Sequence, residues 1–351
     1  MYYVNENIKD LYRVKFHDER AGVLRLDMNE NPEGLPRDVF DAVIAKITPE
    51  YIATYPEKDR LAELLAEHNG TACENISITA GSDEAMRLIF QCFGEQGKKL
   101  LTVTPTFEMY DVYAKMFGMR HETVEYKDDF SVDINDILQA VDDMTGIIIL
   151  LNPNSPIGST YEEGDVQRVI ERAHSVGAIV VVDEAYHYFY APTFMPLVKE
   201  YDNLLVLRTF SKLFSMAGLR IGYVSGDAKL IEYIEKAEST FNVNNIAILF
   251  AKEVLQNKGL IDRLVETERE GRLWLAGQLK EAGYRALALE GNYVLFYPKR
   301  DSGVVVEALK EKNVWVRDYG KGVLKGWIRV STGAKRCMER FWEALLQVDG
   351  Q

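Results

Sequence analysis

Cysteine is scarce in this sequence: Cys73, Cys92 and Cys337 are the three among 351 residues. Their odd number and wide spacing exclude a disulfide framework and a zinc motif, and point to a reducing, cytoplasmic setting. Positive charge is in short supply as well. Lys and Arg total 41 against 54 Asp and Glu, a formal net charge of −13, so nucleic acid, whose phosphates need a basic surface, is not an expected partner. No apolar run approaches the ~20 residues of a membrane span. The opening stretch "MYYVNENIKDLYRVKF" carries charge in every turn and has no apolar core of a secretion signal. No membrane association is expected. The five histidines, His17, His68, His121, His174 and His187, show no ligand spacing, so no metal is expected. Internal repeats and low-complexity linkers are missing. So are the glycine-rich nucleotide loops: "GEQGKKL" has the wrong spacing and no hydroxyl after its lysine.

What is present is an ordinary globular composition, 47% hydrophobic and 27% charged. The length accommodates one large domain and a smaller one. Apolar, partly β-branched runs, "KKLLTVTPTF", "TGIIILLNPNSP", "AIVVVDEAY" and "NLLVLRTFSK", alternate with amphipathic stretches such as "DEAMRLIFQCF" and "EEGDVQRVIERAHSVG". Strands buried on both faces and separated by helices predict a mostly parallel sheet between helical layers, a three-layer α/β/α domain. From Ala228 to about Glu281 the pattern predicts a long helical stretch, followed by the alternating strands "GNYVLFYP" and "GWIRVSTG" of a smaller C-terminal α+β domain. The expected divisions are an N-terminal arm and start of the small domain over 1–30, a large domain over 31–235, and a connecting helix with the small domain over 236–351.

In open α/β sheets ligands collect beyond the carboxyl ends of the strands, and the polar residues fall there. One run ends in Asn152-Pro-Asn154-Ser-Pro156, the next in Asp183-Glu184-Ala-Tyr186, the third in Arg208-Thr209-Phe-Ser211-Lys212. An amide, an acid with a phenol, and a lysine flanked by hydroxyls suit pyridoxal phosphate. That cofactor needs a lysine amine for its aldehyde, a carboxylate to keep its pyridine nitrogen protonated, and donors for its 3′-oxygen and phosphate. "ITAGSDEAMRLIF" reads as strand, glycine turn and helix, and offers Gly81, Ser82 and Asp83 at a helix N-terminus as an anion site.

The chain resembles the fold-type I, class I/II pyridoxal-phosphate aminotransferases, and within them the histidinol-phosphate aminotransferase branch. The likeness runs nearly end to end: "LDMNENPEGLP", "YPEKDRLAELLAEH", "GSDEA", "TPTFEMY", "NPNSPIG", "DEAY", "TFSKLFSMAGLRIGY", "FNVN", "WVRDY" and "IRVSTG" follow in the family's order. The resemblance implies that Lys212 carries the cofactor and moves the proton of the reaction, and that Asp183 pairs with the ring nitrogen. It implies that Tyr186 and Asn154, or else Asn152, bond the 3′-oxygen, and that Phe107 stacks on the ring. Thr209, Ser211, Arg220 and the Gly81-Ser82-Asp83 amides would hold the phosphate. Tyr55 would reach the phosphate of a neighbouring subunit, which implies a homodimer with shared sites. Asn29, in the Asn-Glu-Asn-Pro segment, and Arg329 would bind substrate, Arg329 through its α-carboxylate, and Arg317 a second anionic group.

Taken singly, each residue has a plainer reading. Asp183 could cap a helix, Tyr186 and Phe107 could fill core, Arg317 could pair with Asp318, and "GSDEA" could be an ordinary helix start. The spacing of the whole set carries the inference. The expected reaction moves an amino group between a histidinol-phosphate-like amine and 2-oxoglutarate. A threonine-phosphate-type decarboxylase, a lyase or an aromatic aminotransferase of the same fold shares every residue named. His187 and Tyr188 after "DEAY", and Thr240 before "FNVN", depart from the branch's usual residues and bear on substrate rather than cofactor.

Overall fold

The computed structural model describes residues 2–12 and 19–350. His17 lies outside the described residues. In chain order the strands are β1 (Leu24–Arg25), β2 (Ile76–Thr79), β3 (Lys99–Thr104), β4 (Arg120–Glu125), β5 (Thr145–Leu151), β6 (Ile179–Asp183), β7 (Leu204–Thr209), β8 (Gly222–Gly226), β9 (Arg285–Leu287), β10 (Tyr293–Tyr297), β11 (Val314–Trp315), β12 (Arg317–Asp318) and β13 (Ile328–Ser331).

Seven of them form the large sheet, in the order β2-β8-β7-β6-β5-β3-β4. The pairs from β7 to β4 are parallel, and β8 runs antiparallel to both β7 and β2. The β-branched and leucine runs make the centre: every residue of β7 is buried, as is nearly all of β5 and β6, because helices cover both faces. The edge strand β4 carries "RHETVE" and is largely exposed, the charged sequence that suits an edge. Parallel strands put their carboxyl ends on one rim, and register aligns those ends: Leu151 lies beside Asp183, Asp183 beside Leu207, and Thr209 beside Gly222.

The small domain holds an antiparallel sheet, β12-β13-β10-β9, and a parallel pair, β1 with β11. Its own core joins Leu24 and Leu26 to Leu275, Leu279, Phe296, Ile328, Phe341 and Leu345, so the N-terminal strand packs with the C-terminal part of the chain. Two expectations shift. The helical stretch from Ala228 is three helices, Ala228–Ala237, Asn245–Gln256 and Leu260–Glu281. Asn244 caps the second through Ala247 N–H, and Gly259, at φ 78°, turns the chain into the third. The boundary expected at 235–236 falls inside large-domain packing: Ala247, Ile248, Phe250 and Val254 bury in the large core. Leu264 packs in that core and Leu275 in the small one, so the helix Leu260–Glu281 contributes to both. No described helix is long and apolar enough to cross a membrane.

Candidate active site

The acid pair at the end of β6 divides its labour. Glu184 turns inward, 2% exposed, and forms a 2.8 Å ion pair with Arg208 at the end of β7, while Phe194 N–H and the Thr193 hydroxyl also donate to it. This satisfied buried pair ties two strand ends together. Asp183 points to the rim but stays 4% exposed. Its Oδ2 accepts from the Tyr110 hydroxyl at 2.8 Å and its Oδ1 from Ala185 N–H at 3.0 Å. Burial pushes the Asp183 carboxyl up to about 6, against the pull of those two hydrogen bonds and of Lys212. A buried acid in that condition calls for a cationic hydrogen-bonding partner.

Lys212, half-buried beyond β7, donates from Nζ to the Met28 carbonyl at 3.0 Å and lies 5.7 Å from the centre of the Tyr186 ring. Tyr186 is buried, and its hydroxyl accepts from Asn29 Nδ2 at 2.8 Å. Burial raises that phenol, but Lys212 and Arg329, with hydrogen bonding from Ser155 and Asn29, outweigh it and hold it below the ordinary phenol value. Asn29 sits at φ 55°, a left-handed position that asparagine tolerates. There its N–H bonds the Ser331 hydroxyl at 2.8 Å, which joins the N-terminal segment to the small domain.

Thr209, Ser211, Arg220 and Gly81–Asp83 come together as a cradle. The helix Gly81–Phe93 starts without a side-chain cap at its N-cap residue, an arrangement that suits an anion. Gly81 has φ +81°, and a Cβ there would lie 2.7 Å from Arg220 Nη2. A Cβ on Gly222 would lie 2.9 Å from Ser82 N. Glycine at both places lets a guanidinium and a helix start close on one point. Thr209 Oγ1 donates to Ser211 Oγ at 3.0 Å. The Asp83 carboxylate accepts from the Tyr113 hydroxyl at 2.8 Å.

Phe107 stands 45% exposed and meets Tyr110 edge-on at 5.5 Å between centroids, beside the Asp183 partner and with a face open. Arg329 on β13 donates to Asp27 O at 2.6 Å and Ser155 Oγ at 3.3 Å, while its Nε is buried without a partner. Arg317 on β12 is the direct register partner of Arg329, so the two side chains share a sheet face. Tyr55 stands apart from the cleft, 72% exposed and stacked on Phe241 at 4.3 Å.

Asn154 has partners within the chain at each end of its amide, which leaves it one further N–H to donate. Its Nδ2 donates to Pro105 O at 3.0 Å and its Oδ1 accepts from Thr106 Oγ1 at 2.8 Å, so both ends of the amide are engaged by the chain. Asn152 Nδ2 is buried without a partner. The neighbour that reaches the Tyr186 cluster is Ser155, whose Oγ accepts from Asn29 Nδ2 at 3.2 Å and from Arg329 Nη1. Sequence reading missed Ser155 and Tyr110, although both lie in quoted segments. A hydroxyl at a strand end and a tyrosine three residues after Phe107 were the available signals. His187 lies beside Glu184: burial, with Arg208 and His68 nearby, drives its imidazole down to about 3, so it stays neutral.

Comparison with known proteins identifies the family. The model for aminotransferase class I and II matches residues 21–345. A histidinol-phosphate aminotransferase of Thermoanaerobacter sp. (strain X514) is 31% identical over 335 residues, 94% of each chain. The chloroplastic histidinol-phosphate aminotransferase 1 of Arabidopsis thaliana is 34% identical over 332 residues, covering 93% of this chain and 78% of that one. The crystal structure of histidinol-phosphate aminotransferase from Sinorhizobium meliloti in complex with pyridoxal-5′-phosphate superposes with a TM-score of 0.83 at 25% identity, over 92% of this chain and 90% of that chain. The chain belongs to the class I and II aminotransferases.

Proposed function

We propose that this aminotransferase works with pyridoxal phosphate and moves an amino group between a histidinol-phosphate-like amine and 2-oxoglutarate. The observation that carries the cofactor reading is the buried Asp183, held by Tyr110 and Ala185 and raised to about 6, on the same rim as Lys212 and the Arg220–Gly81 cradle. When bound, pyridoxal phosphate supplies a carbonyl for amines and a cationic ring that draws electrons from the substrate α-carbon.

The chain's residues divide the remaining work. Asp183 Oδ atoms receive the ring N–H and regain a carboxylate's ordinary ionisation beside that cation. Arg220, the Thr209 and Ser211 hydroxyls and the amides from Gly81 to Asp83 hold the phosphate. Phe107 covers one face of the ring. Tyr186 and Asn154, or else Asn152, meet the 3′-oxygen, with the Ser155 hydroxyl beside them. Lys212 Nζ takes the α-proton and returns it, a task for an amine held close but not buried beyond reach of a proton. Arg329 binds the α-carboxylate of the glutamate donor.

A histidinol-phosphate-like amine has no carboxylate, so its phosphate must find its own cation. Arg317, paired in register with Arg329, supports that reading. A lost charge-assisted contact costs roughly 1.5–3 kcal/mol, or about 10–150-fold in affinity. Arg317→Ala is expected to raise KM for histidinol phosphate by that factor and to change KM for unphosphorylated aromatic amines much less. Steady-state kinetics on both substrates checks this; an equal loss on both would make Arg317 a structural residue.

Tyr55 supports a shared site, since its exposed hydroxyl end lies at the surface and stacks on Phe241. In a homodimer it would reach the neighbouring cradle. Mixing Tyr55→Phe chains with Lys212→Ala chains then yields hybrid dimers with one intact site. Random pairing is expected to restore about a quarter of the wild-type sites. Activity measured after mixing, with hybrids isolated by differential tags, checks it. Inactive hybrids would count against a shared site and set Tyr55 to work with its own subunit's Lys212.

A further inference from the structure

Glu108 puts a carboxylate where the cofactor needs none. It directly follows Phe107 and precedes the helix Met109–Met116 of the large domain. Both of its carboxylate oxygens lie 3.2 Å from Arg317 Nη2 on β12 of the small domain. The two residues are 209 positions apart in sequence, and their pairing bridges the two domains beside the ring shelf. Arg317 is opposite Arg329 in register, so the carboxylate occupies one of two adjacent guanidiniums. Tyr319, two residues on, has Arg329, Arg317, Tyr186 and Glu108 all within electrostatic reach, which places the pair at the substrate cluster rather than on a remote surface.

We propose that Glu108 is a specificity-determining residue, an internal carboxylate that holds Arg317 until a substrate anion replaces it. The proposal rests on the reading of Arg317 as the site for a second anionic group. The side chains of the pair are 40% and 72% exposed, which puts it in the weak class of ion pairs, a competitor worth about two- to fivefold. A phosphate monoester, with close to two charges and three acceptor oxygens, outcompetes one carboxylate. The side-chain carboxylate of glutamate replaces that of Glu108 like for like. A neutral aromatic side chain has nothing to exchange and leaves the pair closed. One pocket thereby admits a phosphorylated amine and a dicarboxylic partner in alternation, and ranks both by charge.

The test is a double-mutant cycle on holoenzyme, with inorganic phosphate as the probe and its Kd read by calorimetry in wild type, Glu108→Gln, Arg317→Ala and the double variant. Glu108→Gln is expected to tighten phosphate about two- to fivefold. Arg317→Ala weakens it, and in that background Glu108→Gln gives no gain. The gain shrinks as salt rises, because the competitor is a screened surface charge. An unchanged Kd in Glu108→Gln, or a gain that persists without Arg317, overturns the proposal. Histidinol phosphate kinetics separates the two readings. A coupled cycle in an enzyme that does not turn over histidinol phosphate keeps the role of Glu108 and removes that substrate. A substrate that depends on Arg317 while Glu108→Gln is silent does the reverse.

Discussion

Replacing Lys212 by alanine is expected to reduce transamination by at least about 10⁴-fold, the upper range of general acid–base catalysis alone, since covalent attachment is lost with it. Among the described residues, Lys212 Nζ is the ammonium on this cluster, 3.0 Å from Met28 O and over the Tyr186 ring. The variant should still hold pyridoxal phosphate, because Arg220, the Gly81–Asp83 amides and Asp183 are untouched. Two measurements other than rate check the assignment. In wild type, borohydride should fix the cofactor's mass on the peptide containing Lys212. In Lys212→Ala the cofactor should co-elute with native protein and leave it on denaturation. A label on another lysine would remove Lys212 from the centre of the mechanism.

Much of this site is readable in the sequence because strand ends are. The runs "IIILL", "IVVV" and "LLVL" are apolar on both faces, which only a covered central strand tolerates, so the polar residue after each must lie on one rim. Side-chain direction past a strand end is a different matter. Asp183 and Glu184 are both acids at that rim. What sends Glu184 inward is Arg208, one strand over, a contact between residues 24 apart that no local pattern encodes. The Asn152-Pro-Asn154-Ser155 turn is harder still. Three side chains able to hydrogen-bond lie within four residues, and tertiary partners decide among them: Thr106 and Pro105 engage the Asn154 amide, while Ser155 meets Asn29 and Arg329. The break in the helical stretch after Ala237 was legible in principle. "STFNVNN" carries the asparagine cap that the apolar periodicity on either side obscures. The Arg317–Arg329 pairing joins strands close in sequence, whereas Glu108 reaches Arg317 only because the two domains meet.

Asp183→Asn is expected to slow the amine half-reaction on the order of 10³-fold, the scale seen when a preorganised electrostatic partner is removed from a buried site. The substitution isolates charge from shape. Asparagine has the same outline, its Oδ1 can still accept from Ala185 N–H or the Tyr110 hydroxyl, and the position is 4% exposed, so little repacking is needed. What disappears is the carboxylate. Burial already pushes the Asp183 carboxyl up to about 6, and Tyr110, Ala185 N–H and Lys212 pull it back. A ring N–H⁺ held beside it would add an opposing charge and favour the ionised carboxylate. With asparagine there, no carboxylate would hold a proton on a bound pyridine nitrogen, and the electron withdrawal that the cofactor would supply weakens. Stopped-flow absorbance of a single half-turnover measures this without interference from the second substrate. Thermal unfolding of the same variant guards against a folding defect, which would lower Tm along with the rate. A near-normal half-reaction in a stably folded Asp183→Asn protein would reduce Asp183 to the acid that caps Ala185 N–H at the end of β6.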